Sequence, residues 1–331
     1  MRAMVLHEPG TVAQKPLKLE DIPVPEPASG QIRIKVSACG VCHTDLHTVE
    51  GDLPLPKLPL APGHEIVGSV DALGKGVSKF KLGDKAGAVW LYRTCGQCKY
   101  CLSGRENLCE KAQFTGYHVD GGYAEYMVVD EDFAYHLPLN LPDPEIAPLM
   151  CGGVIGYRAF VLSEARPGQV LGLYGFGNSA HITIQVARHL GIRVFVFTRS
   201  PAHQRHALAL GAEWVGQAGD APPEGIDSAV IFAPAGPLVP AALRVLNPGG
   251  TIAMAGIYMT DIPSMPYELL YHEHTLRSVA NSTRQDAIEL LKLAAEIPIH
   301  TTVTTFPLEE ANDVLLAMKE SRINGDAVLL P

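Results

Sequence analysis

The chain has 331 residues, 35 acidic side chains against 26 basic ones, a formal net charge of −9 and 47% hydrophobic residues. That length usually makes two domains with a core in each, and the composition excludes disordered and fibrous classes. The acidic balance, with no stripe of Lys or Arg, argues against a nucleic-acid partner, and no apolar run reaches bilayer length or forms a signal-peptide core, so no membrane partner is expected.

In chain order, residues Arg2–Leu6, Gln31–Ala38 and Ile66–Leu73 read as strands, separated by turn material such as PVPEPASG. A tight cysteine loop follows, CGQCKYCLSGRENLC, with Cys95, Cys98, Cys101 and Cys109 at separations that let four thiolates converge on one tetrahedral ion. The loop has little apolar material to bury, so metal–thiolate bonds would supply its folding free energy. Zinc is expected there, ahead of an iron–sulfur cluster holding the same thiolates or a pair of disulfides strained by the short spacing.

From about Cys151 strands alternate with helices. Val170–Tyr174 reads as a strand, Ser179–Leu190 as an amphipathic helix and Val194–Thr198 as a second strand. A helix near Ala202–Leu210, a strand at Asp227–Phe232, a helix near Leu238–Leu246 and a strand at Gly250–Gly256 continue the pattern. Such alternation means an α/β, doubly wound parallel sheet of Rossmann type. Helices are expected at Arg284–Ala295 and Leu308–Lys319, and the final DAVLLP reads as a strand returning to the first domain. Residues 1–151 and 283–331 are therefore expected to form a β-rich domain split around a Rossmann domain at 152–282.

The segment Gly175-Phe176-Gly177-Asn178-Ser179-Ala180 fits G-x-G-x-x-G/A between a strand and a helix. Its backbone can approach a pyrophosphate, and the helix N-terminus offers N–H groups to it. The second strand ends Thr198-Arg199-Ser200, without the carboxylate that would hold a ribose 2′-hydroxyl. A guanidinium beside small hydroxyls suits a 2′-phosphate, so NADP(H) is favoured over NAD(H). The competing reading makes Arg199 a solvated surface charge.

Cys42, His64 and Cys151 stand outside the cysteine loop, and spacing alone does not join them. His64 by itself could be a core histidine, Cys151 a small buried hydrophobe, and Cys39 with Cys42 a redox dithiol. The chain nevertheless closely resembles the zinc-containing medium-chain alcohol dehydrogenases, nearly end to end. CGVCHTDLH at Cys39–His47, GHEIVG at Gly63–Gly68 and LGDKAG at Leu82–Gly87 carry the resemblance, with the CGQCKYC loop, ENLC, GGYAEY at Gly121–Tyr126 and APLMCGGV.

The resemblance implies a GroES-like catalytic domain beside the Rossmann domain. It implies one catalytic zinc on Cys42, His64 and Cys151, and one structural zinc on Cys95, Cys98, Cys101 and Cys109. Asp45 would accept a hydrogen bond from His64, and Glu65 would lie beside the metal. Thr44 and His47 would relay the alcohol proton, His43 would lie near the cofactor pyrophosphate, and Trp90 would narrow the substrate pocket. The implied reaction is reversible hydride transfer between a primary alcohol or aldehyde and NAD(P). A relative specialised for an aromatic aldehyde or a polyol, and a non-catalytic dinucleotide-binding protein, are the alternatives.

Two positions depart from the family. Ile155 stands where many members carry a threonine, and Asp326 where many carry an arginine that reaches the pyrophosphate. His272 and His274 are expected at the surface or an interface, and His181 follows the glycine loop. Residues 232–240 resemble the part of these folds that carries subunit contacts, which implies a homodimer or homotetramer. Six cysteines used as thiolate ligands imply a reducing compartment, hence the cytoplasm.

Overall fold

The computed structural model describes residues 1–331 except 298 and 324, and the chain divides into two compact units. Met1–Cys151 with Thr283–Pro331 forms one, and Gly152–Ser282 the other.

The first unit is built on the strand Gln31–Gly40, whose Ile32, Ile34, Val36 and Ala38 point inward while Lys35 and Ser37 face solvent. That period of two is what a half-buried strand requires. Its antiparallel neighbour Glu65–Leu73 pairs Gly40 with Glu65 and Cys39 with Ile66. The C-terminal strand Asp326–Leu330 closes the other side, pairing Val328 with Gly40 and Leu329 with Cys39. Val303–Pro307, Lys85–Ala88, Ala134–His136 and Tyr126–Asp130 complete this seven-stranded sheet. The return of the chain's end to the first sheet follows the expectation for DAVLLP.

The second unit is a six-stranded, wholly parallel sheet. Its spatial order is Trp214–Gly216, Arg193–Phe197, Val170–Tyr174, Ile226–Ile231, Leu246–Met254, Thr275–Ser278. Numbered along the chain this is 3-2-1-4-5-6, the Rossmann order, with the reversal between Val170–Tyr174 and Ile226–Ile231. Tyr174 and Phe197 stack within the core at 4.2 Å between ring centroids.

The structure adds two edge strands that were not expected, Trp214–Gly216 and Thr275–Ser278, begins the expected Leu308–Lys319 helix with a 3-10 turn at Leu308–Glu310, and moves a boundary after residue 238. The helix Leu238–Leu243 ends early, and Leu246 already pairs with Ile226 as the first residue of its strand. The register then slips before Ser228 pairs with Thr251, so Asn247-Pro248-Gly249-Gly250 is absorbed as an irregularity inside the strand. Pro248 and Gly249 read as a loop in sequence because a bulge uses the same residues.

The helix Arg284–Glu296 begins with a reciprocal cap: the Thr283 hydroxyl accepts from Asp286 N, and Asp286 Oδ2 accepts from Thr283 N at 2.7 Å. Both residues are only 4% exposed, so losing the cap leaves buried N–H groups unpaired. Thr283→Ala should cost about 1–2 kcal/mol, lowering the thermal unfolding midpoint by a few degrees, with Thr283→Ser close to wild type. Equal midpoints for Thr283→Ala and wild type would contradict this.

Candidate active site and metal centres

All seven cysteines are free thiols. In the 95–109 loop, Cys98 Sγ lies 3.5 Å and Cys95 Sγ 3.9 Å from Cys101 Sγ. Zn–S bonds of about 2.3 Å in a tetrahedron set sulfurs roughly 3.8 Å apart, whereas a disulfide holds them at about 2 Å. The four donor atoms lie within 4.8 Å of one another, so the loop is folded around a point that an ion fits. Backbone N–H groups of Gln97 and Cys98 hold the Cys95 thiol down to about 6, while burial pushes Cys109 up to about 11.

The second cluster assembles from separate elements of the same unit. Cys42 caps the helix His43–Glu50, His64 immediately precedes the strand Glu65–Leu73, and Cys151 follows a short 3-10 turn. Donor atoms of Cys42, His64, Glu65 and Cys151 all lie within 4.8 Å, with the two sulfurs 3.9 Å apart. Two thiolates and an imidazole make a donor set that suits zinc. Among the described residues only these two clusters bring three or more such donors together.

Asp45 holds this cluster in shape. It is 1% exposed and accepts from Cys42 N at 2.9 Å, from Gly63 N at 3.2 Å and from His64 Nδ1 at 3.0 Å. With Nδ1 committed to the carboxylate, His64 presents Nε2 to the cluster. Burial alone would lower His64, but Asp45 and Cys42 more than offset it and leave the imidazole raised well above its ordinary value. The contact with Cys151 and then His64 pull the Cys42 thiol well below its ordinary value against the effect of burial. Cys151 is raised by that same contact and by burial. Glu65 is raised by burial and by the neighbouring Cys42 thiolate. Its carboxylate folds over Gly40, where a Cβ would sit 1.9 Å from Glu65 Oε2. Only glycine fits there.

Thr44 Oγ1 lies 3.8 Å from Cys42 Sγ, and His47 is one turn further along the helix with Nδ1 2.7 Å from Asp52 Oδ2. Asp52 was not read from the sequence; an acidic residue just past the helix-ending Gly51 was its only signal. Trp90 meets His64 edge-on at 5.0 Å and stacks on Phe114 at 5.1 Å. His43 is exposed on the first helical turn, and Cys39 is fully buried. Asp326, where many family members carry an arginine, stands at the start of its strand beside Cys42, raised to about 7 by burial and by that thiolate.

In the second unit, Gly175 adopts φ +88° after the strand Val170–Tyr174, and Gly177 caps the helix Asn178–His189. A Cβ on Gly177 would meet nothing within 4 Å, which leaves its face open to a ligand. Asn178 and Ser179 form the first turn, where unpaired N–H groups favour an anion. Thr198 is buried at the end of the next strand, Arg199 is exposed, and Ser200 caps the helix Pro201–Ala209 by accepting from His203 N at 3.3 Å. The Ser200 hydroxyl thus has a structural duty that the sequence reading did not assign.

His181 Nε2 lies 3.2 Å from Phe176 O, and its ring meets His206 at 4.5 Å and His203 at 6.3 Å. His272 is exposed and His274 half-buried, with His274 Nδ1 2.7 Å from Leu269 O. No single helix among the described residues is long and apolar enough to cross a membrane.

Residues 28–139 match the alcohol dehydrogenase GroES-like domain, and residues 180–296 match the zinc-binding dehydrogenase domain. A protein of Mycobacterium tuberculosis (strain CDC 1551 / Oshkosh) named "Probable alcohol dehydrogenase AdhA" is 46% identical, covering 100% of this chain and 97% of its own length. An alcohol dehydrogenase of Geobacillus stearothermophilus is 38% identical over 99% of both chains. The crystal structure of AibC superposes with a TM-score of 0.93 at 29% identity, over 100% of this chain and 96% of its own. The chain belongs to the zinc-containing medium-chain alcohol dehydrogenase family. It is an oxidoreductase of that family, acting on a small alcohol or aldehyde with zinc and a nicotinamide cofactor.

Burial, then His206 and His203, lower His181 to about 4 in the folded chain. Unfolding returns it to about 6.5, so between those values the unfolded chain binds more protons and stability falls as pH drops. His181→Gln should therefore lose less thermal stability than wild type between about pH 7 and pH 5. Identical losses in parallel circular-dichroism melts would refute this.

Proposed function

We propose that Cys42, His64 and Cys151 hold a catalytic zinc and Cys95, Cys98, Cys101 and Cys109 a structural one, serving the interconversion of primary alcohols and aldehydes with NADP(H) preferred. The observation that carries the reading is the convergence of Cys42, His64 and Cys151, with His64 aimed by Asp45. Three protein donors leave a tetrahedral ion one position for substrate, whereas four cysteines close the other centre.

Zinc held by Cys42, His64 and Cys151 would supply Lewis-acid polarisation of the substrate oxygen, and a bound nicotinamide would supply the hydride acceptor or donor. In the oxidation Thr44 receives the substrate hydroxyl proton as it gives up its own, and His47, its ring oriented by Asp52, passes a proton on toward solvent. In reduction the same pair returns the proton to the oxygen. Asp45 keeps the His64 ring from turning, and Trp90 walls the substrate side beside His64, favouring unbranched or planar substrates. Gly175, Gly177, Asn178 and Ser179 would hold the pyrophosphate and Thr198, Arg199 and Ser200 the adenosine ribose, and the family resemblance adds His43 as a basic residue for the pyrophosphate.

Arg199 supports the NADP(H) preference, since a guanidinium recognises a phosphate strongly. A free-thiol complement, with six cysteines as ligands, suits a reducing compartment such as the cytoplasm. Exposed Ile257, Tyr258, Tyr267 and Tyr271 support a homodimer or homotetramer, because large apolar side chains rarely stay uncovered in groups.

Reduction of NADP⁺ and NAD⁺ by a panel of primary alcohols tests the reading. Turnover should vanish in Cys42→Ser and on chelation, and Arg199→Ala should raise KM for NADP⁺ at least about tenfold with little change for NAD⁺. A wild-type preference for NAD⁺, or better turnover of bulky secondary alcohols than of ethanol and benzyl alcohol, would overturn those parts. Light scattering should return twice or four times the chain mass; a monomer mass would remove the oligomer.

A further inference from the structure

Asp326 stands against the proposed catalytic metal centre, and the sheet register fixes it there. Val328 pairs with Gly40 and Leu329 with Cys39, while Val41 N donates to Ala327 O at 2.9 Å. One further step along this antiparallel ladder sets Asp326 opposite Cys42. Asp326 N donates to Thr302 O at 2.8 Å, which fixes the backbone at the start of the strand.

On the other flank of the Gln31–Gly40 strand, Glu65 pairs with Gly40 and lays its carboxylate over that residue. Two carboxylates thus approach the same ligand from the two strands that flank it. Glu65 is 5% exposed and Asp326 is half-buried. Among the described residues neither forms an ion pair with Lys or Arg. The cluster therefore gathers two sulfurs, one imidazole and the carboxylates of Asp45 and Glu65, with half-buried Asp326 beside Cys42 at its edge. Buried charge of one sign is costly unless an opposite charge joins it. A divalent cation is the charge that this group lacks.

We propose that Asp326 is a positioning residue of the metal centre: together with Glu65 it gives the Cys42–His64–Cys151 donor set a surplus of negative charge that tightens its hold on a divalent cation, without Asp326 itself becoming a ligand. This rests on the reading that Cys42, His64 and Cys151 bind zinc.

The test is chelator competition with metal analysis on the full chain, wild type against Asp326→Asn and Asp326→Glu. The second ion is identified as the one that Cys42→Ser lacks. Asp326→Asn should weaken retention of that ion roughly tenfold to a hundredfold, the range typical of partners behind metal ligands. Retention at the four-cysteine loop should not change, and Asp326→Glu should stay close to wild type. Substituted with Co²⁺, wild type and Asp326→Asn should show the same visible absorption bands, since the ligands are the same.

Equal retention in wild type and Asp326→Asn would overturn the inference, as would equal weakening in Asn and Glu variants, which would mean a packing role. Shifted cobalt bands would make Asp326 a ligand and overturn its action through charge. A wild-type chain that holds only the four-cysteine ion would instead overturn the metal reading of Cys42, His64 and Cys151, and the inference with it.

Discussion

The carboxylate of Asp45 ties together two pieces of chain that the sheet register brings side by side, the helix start at Cys42 and the Gly63–His64 turn. It accepts from Cys42 N at a helix start, from Gly63 N in the turn before a strand, and from the His64 ring. Removed from water, such a group is costly unless its lone pairs are filled, and here three N–H donors fill them. The local helix cap and the orientation of the metal-facing imidazole are therefore one hydrogen-bond network. Thr44, His47 and Asp52 depend on the same anchor, because the helix that carries Thr44 and His47, and that ends just before Asp52, begins at Cys42.

The two donor clusters show how differently the same chemistry can be made. In the 95–109 loop every donor is local, so the ion itself would be the core of a segment with few buried side chains. At Cys42, His64 and Cys151 the scaffold comes first: a sheet, a capped helix and a turn hold the donors, and the metal would add function to a preformed frame. The thiol donors are alike in burial, with Cys42 and Cys151 half-buried as Cys95, Cys98 and Cys101 are, but behind the first two lie Asp45, His64 and Glu65, all nearly inaccessible. Water exclusion strengthens electrostatic interactions where charge must be moved, and a purely structural ion does not need it.

Legibility in the sequence followed the same division. The cysteine loop and the glycine loop could be read directly, since each packs its whole mechanism into one short segment. Four of the six Rossmann strands were readable from their apolar runs and the alternation with helices, while the short edge strands Trp214–Gly216 and Thr275–Ser278, each with few buried residues, carried no such signal. Cys42, His64 and Cys151 could be joined only through family resemblance, because sheet register, not spacing, brings them together. Asp52 escaped notice because its partner His47 is on the helix and it is not. The Leu238–Leu246 helix was drawn too long because a strand irregularity borrows the residues of a loop.

Position 326 shows why a family pattern transfers residue by residue and no further. The resemblance supplied a place for a cation and an expectation about phosphates, and this chain puts a carboxylate there. Its consequence depends on what lies across the ladder, and that is Cys42, with Glu65 on the neighbouring strand. Gly40 makes the arrangement possible, since any side chain at that position would displace the Glu65 carboxylate. A charge reversal in this interior strand therefore falls opposite a residue nearly the whole chain away in sequence. Sheets transmit such changes because register is fixed by many backbone hydrogen bonds, and a side chain at one rung cannot avoid the residue opposite.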